Sequence, residues 1–505
     1  MVFASVSSSS PLPVAVARTS QSPFPLYAII PITTHMNHKE IWKKLLSSNR
    51  VKDLKKGEQT KEEIKTDIRN PFERDADRII YSYPFRRLQD KTQVIPLPII
   101  DFVHTRLTHT LEVATVGRSL GKLIAEFLLS KNYIDESQIN HIPTIIYSAC
   151  LAHDIGNPPF GHSGEDSISD YFIANKGSEY IVTYFNEEPL KLAKIKDLQN
   201  FEGNALGFHL LNNYEEIGLN LTCATLATFT KYPRLSYIEG DDEVDKSIRW
   251  NNDRTSQKKY GFFVKDLDIF KLVAEETGLN VLIDGKSWTR HPLAFILEAA
   301  DDICYRIIDL EDGFRIGKIP FSECEVILKK IAIKDHNWRE EKYNTTINTE
   351  KRKFSYLRAL VINTLIYNAV EVFKSNYDNI ITGEFDKELL KEISDNEIVE
   401  SIDNIKKLVK KYIYKSQEVL TLEATGYEVL GGLTSEFIEA SNICVDCRTP
   451  YLSKKPEKYY DLLPDEFKSD SSDYYERYLK ICNYVAGMSD SYALNLYQKL
   501  KGIKI

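Results

Sequence analysis

His109, the adjacent pair His153 and Asp154, and Asp301 are residues whose types could do metal chemistry together. Two imidazoles and two carboxylates form a mixed nitrogen and oxygen donor set, which suits a divalent transition metal better than a purely hard site would. Such an ion would act as a Lewis acid and lower the pKa of a coordinated water. The pair stands in Leu151-Ala-His-Asp-Ile-Gly-Asn-Pro-Pro-Phe-Gly-His-Ser-Gly-Glu165. An apolar helix delivers His153 and Asp154 at its C-terminal end, after which Gly156, Pro158, Pro159 and Gly161 force an irregular loop. That loop lets His162 turn back toward the ligands, and Glu165 is spaced to share a helical turn with it. A histidine held by a carboxylate is a proton carrier near neutral pH. The alternative is that His162 caps a turn and Glu165 caps the next helix.

Asp301 belongs to Glu298-Ala-Ala-Asp-Asp-Ile-Cys-Tyr-Arg-Ile-Ile-Asp-Leu-Glu311, where the helical period sorts the faces. Asp301, Tyr305 and Asp309 are each four apart and form one stripe: a carboxylate for the metal, then a phenol and a second carboxylate that can reach a bound ligand. Asp302 points roughly 100° away. Its face carries no similar series, so Asp301 is the expected ligand. A solvated, salt-bridged face is the competing reading, and the apolar neighbours Ala299, Ala300, Ile303 and Ile307 count against it.

The elements that must position these residues read as helices, and the fold class as predominantly all-α. Leu111, Ala114, Leu120, Leu123 and Phe127 recur at spacings near three and four across His109–Leu129. Further helical stretches are expected over Thr144–His153, Phe201–Asn212, Pro292–Leu310, Ser355–Lys374, Ile402–Ser416 and Tyr474–Lys501. The polar segments Glu239–Lys259 and Lys334–Lys353 read as long loops, the second as a domain boundary. The Lys-rich run Lys406 to Lys411, with Ile405, Leu408 and Ile413 interleaved, reads as an amphipathic helix with a solvated face. Residues 1–35, rich in Ser, Pro, Ala and Val, read as a non-core extension, disordered or a mis-assigned start, with Met36 opening the functional chain. A transit peptide would usually carry more arginines than Arg18 alone.

A chain of 505 residues that is 43% hydrophobic can bury one large core or several smaller ones. The net charge of −8 draws it toward neither nucleic acid nor an anionic membrane, so any basic site must be local. The apolar run Ile142–Ala152 is interrupted by Pro143 and is far shorter than the roughly 20 residues a bilayer requires. Seven cysteines are too few for a disulfide framework, which points to a reducing compartment and a cytoplasmic location. Cys444 and Cys447 form a single CxxC with no partner pair and are not read as a metal site.

The text around the four ligands carries a resemblance. Phe72-Glu-Arg-Asp-Ala-Asp-Arg-Ile-Ile, Phe85-Arg-Arg-Leu-Gln-Asp-Lys-Thr-Gln-Val94, Arg106-Leu-Thr-His-Thr-Leu-Glu-Val and His153-Asp-Ile-Gly-Asn-Pro-Pro-Phe-Gly-His come first. Phe201-Glu-Gly-Asn-Ala, Thr230-Lys-Tyr-Pro, Glu298-Ala-Ala-Asp-Asp-Ile and Tyr484-Val-Ala-Gly-Met-Ser-Asp-Ser-Tyr-Ala493 follow. In that order they resemble the bacterial deoxyguanosine triphosphate triphosphohydrolases of the HD-domain superfamily, over Arg69 to the C-terminus. The resemblance implies an HD-domain catalytic core over 36–335 and a C-terminal helical region over 336–505 that contributes to the nucleotide site and to oligomer contacts.

The resemblance further implies hydrolysis of dGTP, and in some relatives of several dNTPs, to a deoxynucleoside and inorganic triphosphate. One divalent ion, Mn²⁺ or Mg²⁺ with Fe²⁺ or Co²⁺ also compatible, would be held by His109, His153, Asp154 and Asp301. His162 with Glu165 would protonate the departing 5′ oxygen, a step worth roughly 10²–10⁴-fold. Arg106, Lys231 and Tyr232 are candidates to clamp the phosphates. Gln93, Val94 and Asn204 fall near the nucleoside, Tyr305 against the deoxyribose where it would exclude a 2′-hydroxyl, and Asp309 beside it. Arg86 and Arg87 are as readily ion-pair residues as phosphate contacts, and Gly426-Tyr-Glu-Val-Leu-Gly-Gly-Leu433 looks like a family element near the nucleotide. A homo-oligomer and, in some members, single-stranded DNA binding are implied by analogy alone. The competing readings are an HD phosphodiesterase, which need not have the Asn-Pro-Pro-Phe-Gly-His loop, a dNTP-activated enzyme of broad specificity, and a non-catalytic nucleotide-binding regulator.

Overall fold

Apolar side chains at helical spacing, bounded by capping residues, make this chain a stack of helices. The computed structural model describes residues 36–56, 67–94, 103–174, 176–184, 190–213, 218–239, 254–283, 285–446 and 454–503. The stretch 1–35, most of the charged segment 239–259 and Cys447 lie outside them. Among the described residues the one sheet is a short antiparallel pair, Val281–Ile283 with Ser287–Trp288. None of the described helices is long and apolar enough to cross a membrane.

Three helices pack on one another and carry the candidate ligands: Arg106–Ser130, His141–Ala152 and Pro292–Arg315. The first runs with Val113, Leu120, Ile124 and Leu128 fully buried. Each such side chain contributes roughly 1.5–3 kcal/mol relative to exposure. Its buried stripe is offset from the expected one, because Leu111 is exposed and the helix is covered from more than one side. The second tolerates Pro143 because it falls in the first turn, where no intrahelical N–H bond is lost. The third begins at Pro292, with the His291 side chain accepting the Leu293 N–H. Further helices over Glu350–Ser375 and Asn396–Val409 cover the Asp301 helix.

The C-terminal part reaches back over this core. Its longest helix, Gln417–Asp446, packs on His162–Ala174 and is itself covered by Tyr474–Ala486 and Asp490–Leu500. The expected single helix over Tyr474–Lys501 is thus two, because the first ends at Gly487 and the Ser489 side chain caps the second by accepting the Tyr492 N–H. The pattern over Ile402–Ser416 stops being α-helical at Val409 and continues as a π-turn, Lys410–Tyr414. Segment 334–353 also holds structure, a π-turn at Lys342–Thr346 and the first turn of the next helix.

Gly156 shows how closely the loop after His153 is seated. A Cβ there would overlap Gly203 O and Gly207 N, both backbone atoms of the neighbouring helix Gly203–Asn213. Neither can rotate away, so Gly156→Ala is expected to destabilise the fold by about 3 kcal/mol, the upper end for overpacking. Urea unfolding measures this, and a loss below about 1 kcal/mol would contradict so close an approach.

Candidate active site

The three packed helices bring all four candidate ligands to one point. Asp301 Oδ1 lies 3.2 Å from His109 Nε2 and 3.5 Å from His153 Nε2, which is itself 3.5 Å from Asp154 Oδ1. Donor atoms of His109, His153 and Asp154 all fall within 4.8 Å of one another, and all three residues are buried. His153 Nδ1 sits 2.7 Å from Cys150 O, which can only accept, so Nδ1 carries the hydrogen. In the neutral, metal-binding form the Nε2 lone pair therefore faces two carboxylate oxygens; burial opposes the protonated form, but Asp154 and Asp301 outweigh it and raise the imidazole's pKa. His153 Nε2, Asp154 Oδ2 and His109 Nδ1 are buried without a hydrogen-bond partner. A cation in the cluster relieves the repulsion and gives His153 Nε2 and Asp154 Oδ2 a partner, so the residues fit a divalent ion.

Charge around this point is balanced locally. Arg106 reaches Asp154 Oδ1 at 3.1 Å, and Lys231, just beyond the helix Cys223–Phe229, donates to Asp301 Oδ2 at 2.7 Å. Burial opposes ionisation of Asp301, but Lys231, His153 and His109 outweigh it and hold the carboxyl well below its usual range. Asp302 turns away to Arg306 at 3.5 Å, and burial pushes its carboxyl up to about 7.

Comparison with known proteins agrees with this geometry. The HD domain family matches residues 106–227, and the phosphohydrolase-associated domain matches residues 393–499. A deoxyguanosinetriphosphate triphosphohydrolase-like protein of Synechocystis is 39% identical over 481 residues, covering 92% of this chain and 100% of that protein. One of Listeria monocytogenes is 34% identical, covering 92% and 99%. The deoxyguanosinetriphosphate triphosphohydrolase of Salmonella arizonae is 31% identical, covering 86% and 94%. The chain belongs to the deoxyguanosinetriphosphate triphosphohydrolase-like family. Membership makes it a phosphohydrolase, and its HD domain implies a divalent metal.

In this family member the ligand cluster opens into a cavity of about 390 Å³. Gln93, Val94, Arg106, His162, Glu165, Asn204, Lys231 and Tyr305 line it with the four ligands. Tyr232 and Asp309 line an adjoining lobe of about 510 Å³ that shares His162, Lys231, Asp301 and Tyr305. The Gln93 Oε1 atom is buried with no partner. Asn204 Nδ2 is engaged with Glu202 Oε1 at 2.7 Å.

His162 opens the helix His162–Ala174 behind two left-handed residues, Phe160 (φ 60°) and Gly161 (φ 63°). A non-glycine residue in that conformation costs roughly 1–2 kcal/mol. The ring keeps contact with solvent, yet the cleft walls desolvate its charged form, and Lys259 and Arg106 lower its pKa further. Glu165 lies one turn along, as the spacing predicts, but its Oε1 accepts the Gly203 N–H at 2.9 Å. No hydrogen bond joins it to His162 among the described residues. Burial and the neighbouring Glu202 push the Glu165 carboxyl up to about 7, against Lys259.

The Asp301, Tyr305, Asp309 stripe meets a partner that sequence reasoning missed. Tyr414 bonds the Tyr305 hydroxyl and donates to Asp309 Oδ2 at 2.5 Å. It comes from the π-turn, whose extra residue per turn is invisible to a 3.6-residue period. Lys259, at the end of the segment read as a loop, also lines the cavity and holds Glu202 at 3.0 Å. Val419 and Glu423 enter it from Gln417–Asp446.

Behind the stripe, His104 ties the start of the His109 helix to the end of the Asp301 helix. Its Nδ1 lies 2.8 Å from Asp312 Oδ1, its backbone N–H donates to Asp312 Oδ2 at 3.1 Å, and Nε2 is 3.4 Å from Glu112. Burial opposes its charge, but the bonds to Asp312 and Glu112 prevail and raise the imidazole from 6.5 to about 10. A raised pKa stabilises the fold fully below the unfolded value of 6.5, and the contribution is lost as the pH climbs through about 10. The stability difference between the wild type and His104→Gln is therefore expected to shrink steadily between those limits. Urea unfolding at about pH 6, 8 and 10 checks this, and a difference constant across the series would remove the ion pair from the account.

Proposed function

We propose that this chain hydrolyses dGTP to deoxyguanosine and inorganic triphosphate. The observation that carries the reading is one cleft in which the His109, His153, Asp154 and Asp301 cluster adjoins His162 on one side and the Tyr305–Asp309 stripe on the other. The relatives' names support the choice of nucleotide. Water adds to the α-phosphorus while the bond from that phosphorus to O5′ breaks, so the deoxynucleoside leaves with a proton on O5′ and the three phosphates leave together. A divalent ion held by the four ligands supplies Lewis acidity at a phosphoryl oxygen and acidifies water.

The remaining roles belong to the chain's own groups. Arg106 and Lys231, which pair with the ligand carboxylates, are placed to turn to the phosphates and neutralise their charge. His162 protonates O5′. Its lowered pKa in the free protein is set partly by Lys259 and Arg106, and an arriving polyanion offsets both charges and raises it toward the acid form. Glu165 steadies this loop through Gly203 rather than by holding the imidazole. Tyr305 packs on the deoxyribose, where a 2′-hydroxyl would collide, and Gln93, Val94 and Asp309 surround the nucleoside.

Product analysis with Mn²⁺ or Mg²⁺ and each dNTP, alone and in pairs, tests the reading. Deoxyguanosine with triphosphate is expected from dGTP, whereas dGMP with pyrophosphate would place the cleavage at another bond. His162→Ala is expected to retain metal and bind dGTP while kcat falls by about 10²–10⁴-fold. A near-normal kcat would remove His162 from the mechanism. Tyr305→Ala is expected to raise turnover of GTP relative to dGTP with metal content unchanged.

A further inference from the structure

Asp490 opens the helix Asp490–Leu500 and is only 1% exposed. Its two oxygens engage different walls of the candidate site. Oδ2 accepts the Thr92 N–H at 3.0 Å and the Thr92 hydroxyl at 2.7 Å, while Oδ1 accepts the Phe160 N–H at 3.1 Å. Thr92 leads directly into Gln93 and Val94, which line the cavity, and Phe160 into Gly161 and His162. Around this carboxylate a clasp joins residues 87–92 to 486–491. Arg87 donates to Gly487 O at 3.0 Å, Lys91 to Ala486 O at 3.1 Å and to Asn157 O at 2.5 Å, and Ser491 Oγ to Asp90 at 2.9 Å.

We infer that Asp490 is a positioning residue, a single buried carboxylate that sets the spacing between the Gln93–Val94 wall and the His162 loop. Both backbone partners are donors, so both oxygens must accept, and a carboxylate alone among side chains of this size does so. Ionised acceptors also bind amides roughly twice as strongly as neutral ones, which suits an anchor for the left-handed Phe160. An asparagine would turn an NH₂ against one of the two N–H groups. The kinetic consequence rests on the triphosphohydrolase reading; the structural one does not.

The test compares full-length wild type with Asp490→Ala, Asp490→Asn and Ser491→Ala, the last removing the hydroxyl bond to Asp90 Oδ1 while the Ser491 N–H keeps its bond to Asp90 Oδ2. For dGTP, kcat/KM is expected to fall on the order of 100-fold in Asp490→Ala, the scale of a roughly 1 Å misplacement of reacting groups. KM rises through the Gln93 wall and kcat falls through His162. Asp490→Asn, which keeps one acceptor, loses less, and serves alone if the alanine variant does not fold. Mn²⁺ content stays at the wild-type level in all, and Ser491→Ala keeps wild-type kcat/KM whatever stability it loses. Hydrogen exchange at the Thr92 and Phe160 amides rises in the Asp490 variants whether or not dGTP is a substrate. A wild type that turns over no dGTP would thus sink the functional reading and leave this one to the exchange data. Unchanged exchange at both amides, wild-type kcat/KM in the Asp490 variants, or an equal loss of kcat/KM in Ser491→Ala would overturn the positioning role.

Discussion

Everything at this site depends on keeping two carboxylates and two imidazoles pressed together, with Asp301 part-exposed to the cavity and the other three buried. Asp154 and Asp301 are both ionised in surroundings that disfavour charge, and what offsets that cost is the close set of His109, His153, Arg106 and Lys231. Removing one partner of such a buried set costs about 3–5 kcal/mol, so the groups can stay only where the backbone cannot drift. The three packed helices meet that need: His109 and Asp301 lie within helices and His153 at a helix cap, and only Asp154, one residue past that cap, stands outside them.

The groups proposed to move protons and hold the nucleoside are mounted differently. His162 stands at the end of a loop forced into left-handed geometry, and Tyr414 at the end of a π-turn. Both elements aim a side chain where a regular helix could not. The Tyr305–Tyr414–Asp309 contact is an example: burial pushes Asp309 far above the usual carboxylate range, and the Tyr414 hydroxyl pins its orientation. A floor of candidate ligands set on packed helices thus lies beneath a more irregular rim.

The ligand helices were legible in the sequence because apolar period and spacing act over a few turns: His141–Ala152 and Pro292–Arg315 lie close to where the pattern puts them. The preference for Asp301 over Asp302 follows from the same period, since a rotation of roughly 100° separates the ligand cluster from the Arg306 pair. What spacing could not reveal is partner choice. Glu165 is one turn from His162, yet it bonds the Gly203 N–H, whose approach depends on a helix nearly forty residues further along. Tyr414 and Lys259 lie in segments that break period, a π-turn and the end of a charged loop, so no local pattern marks them. The break at Gly487–Ser489 was hidden for the opposite reason, because apolar spacing carries on across it.

The C-terminal region is for that reason better regarded as part of the site than as a module beside it. Its residues Tyr414, Val419 and Glu423 face the cavity, and the segment around Gly487 and Asp490 grips residues 87–92 and Phe160 from behind. The two family matches fall on either side of this contact, residues 106–227 and 393–499, while the segment that joins them at the clasp, residues 87–92, lies in neither. The buried contact between Asp490 and Thr92 joins positions 398 residues apart, so the wall at Gln93 is anchored by the last helix. The four candidate ligands all come from the first two-thirds of the sequence, but the helices that cover Asp301 and the residues that close the cavity come from the last third.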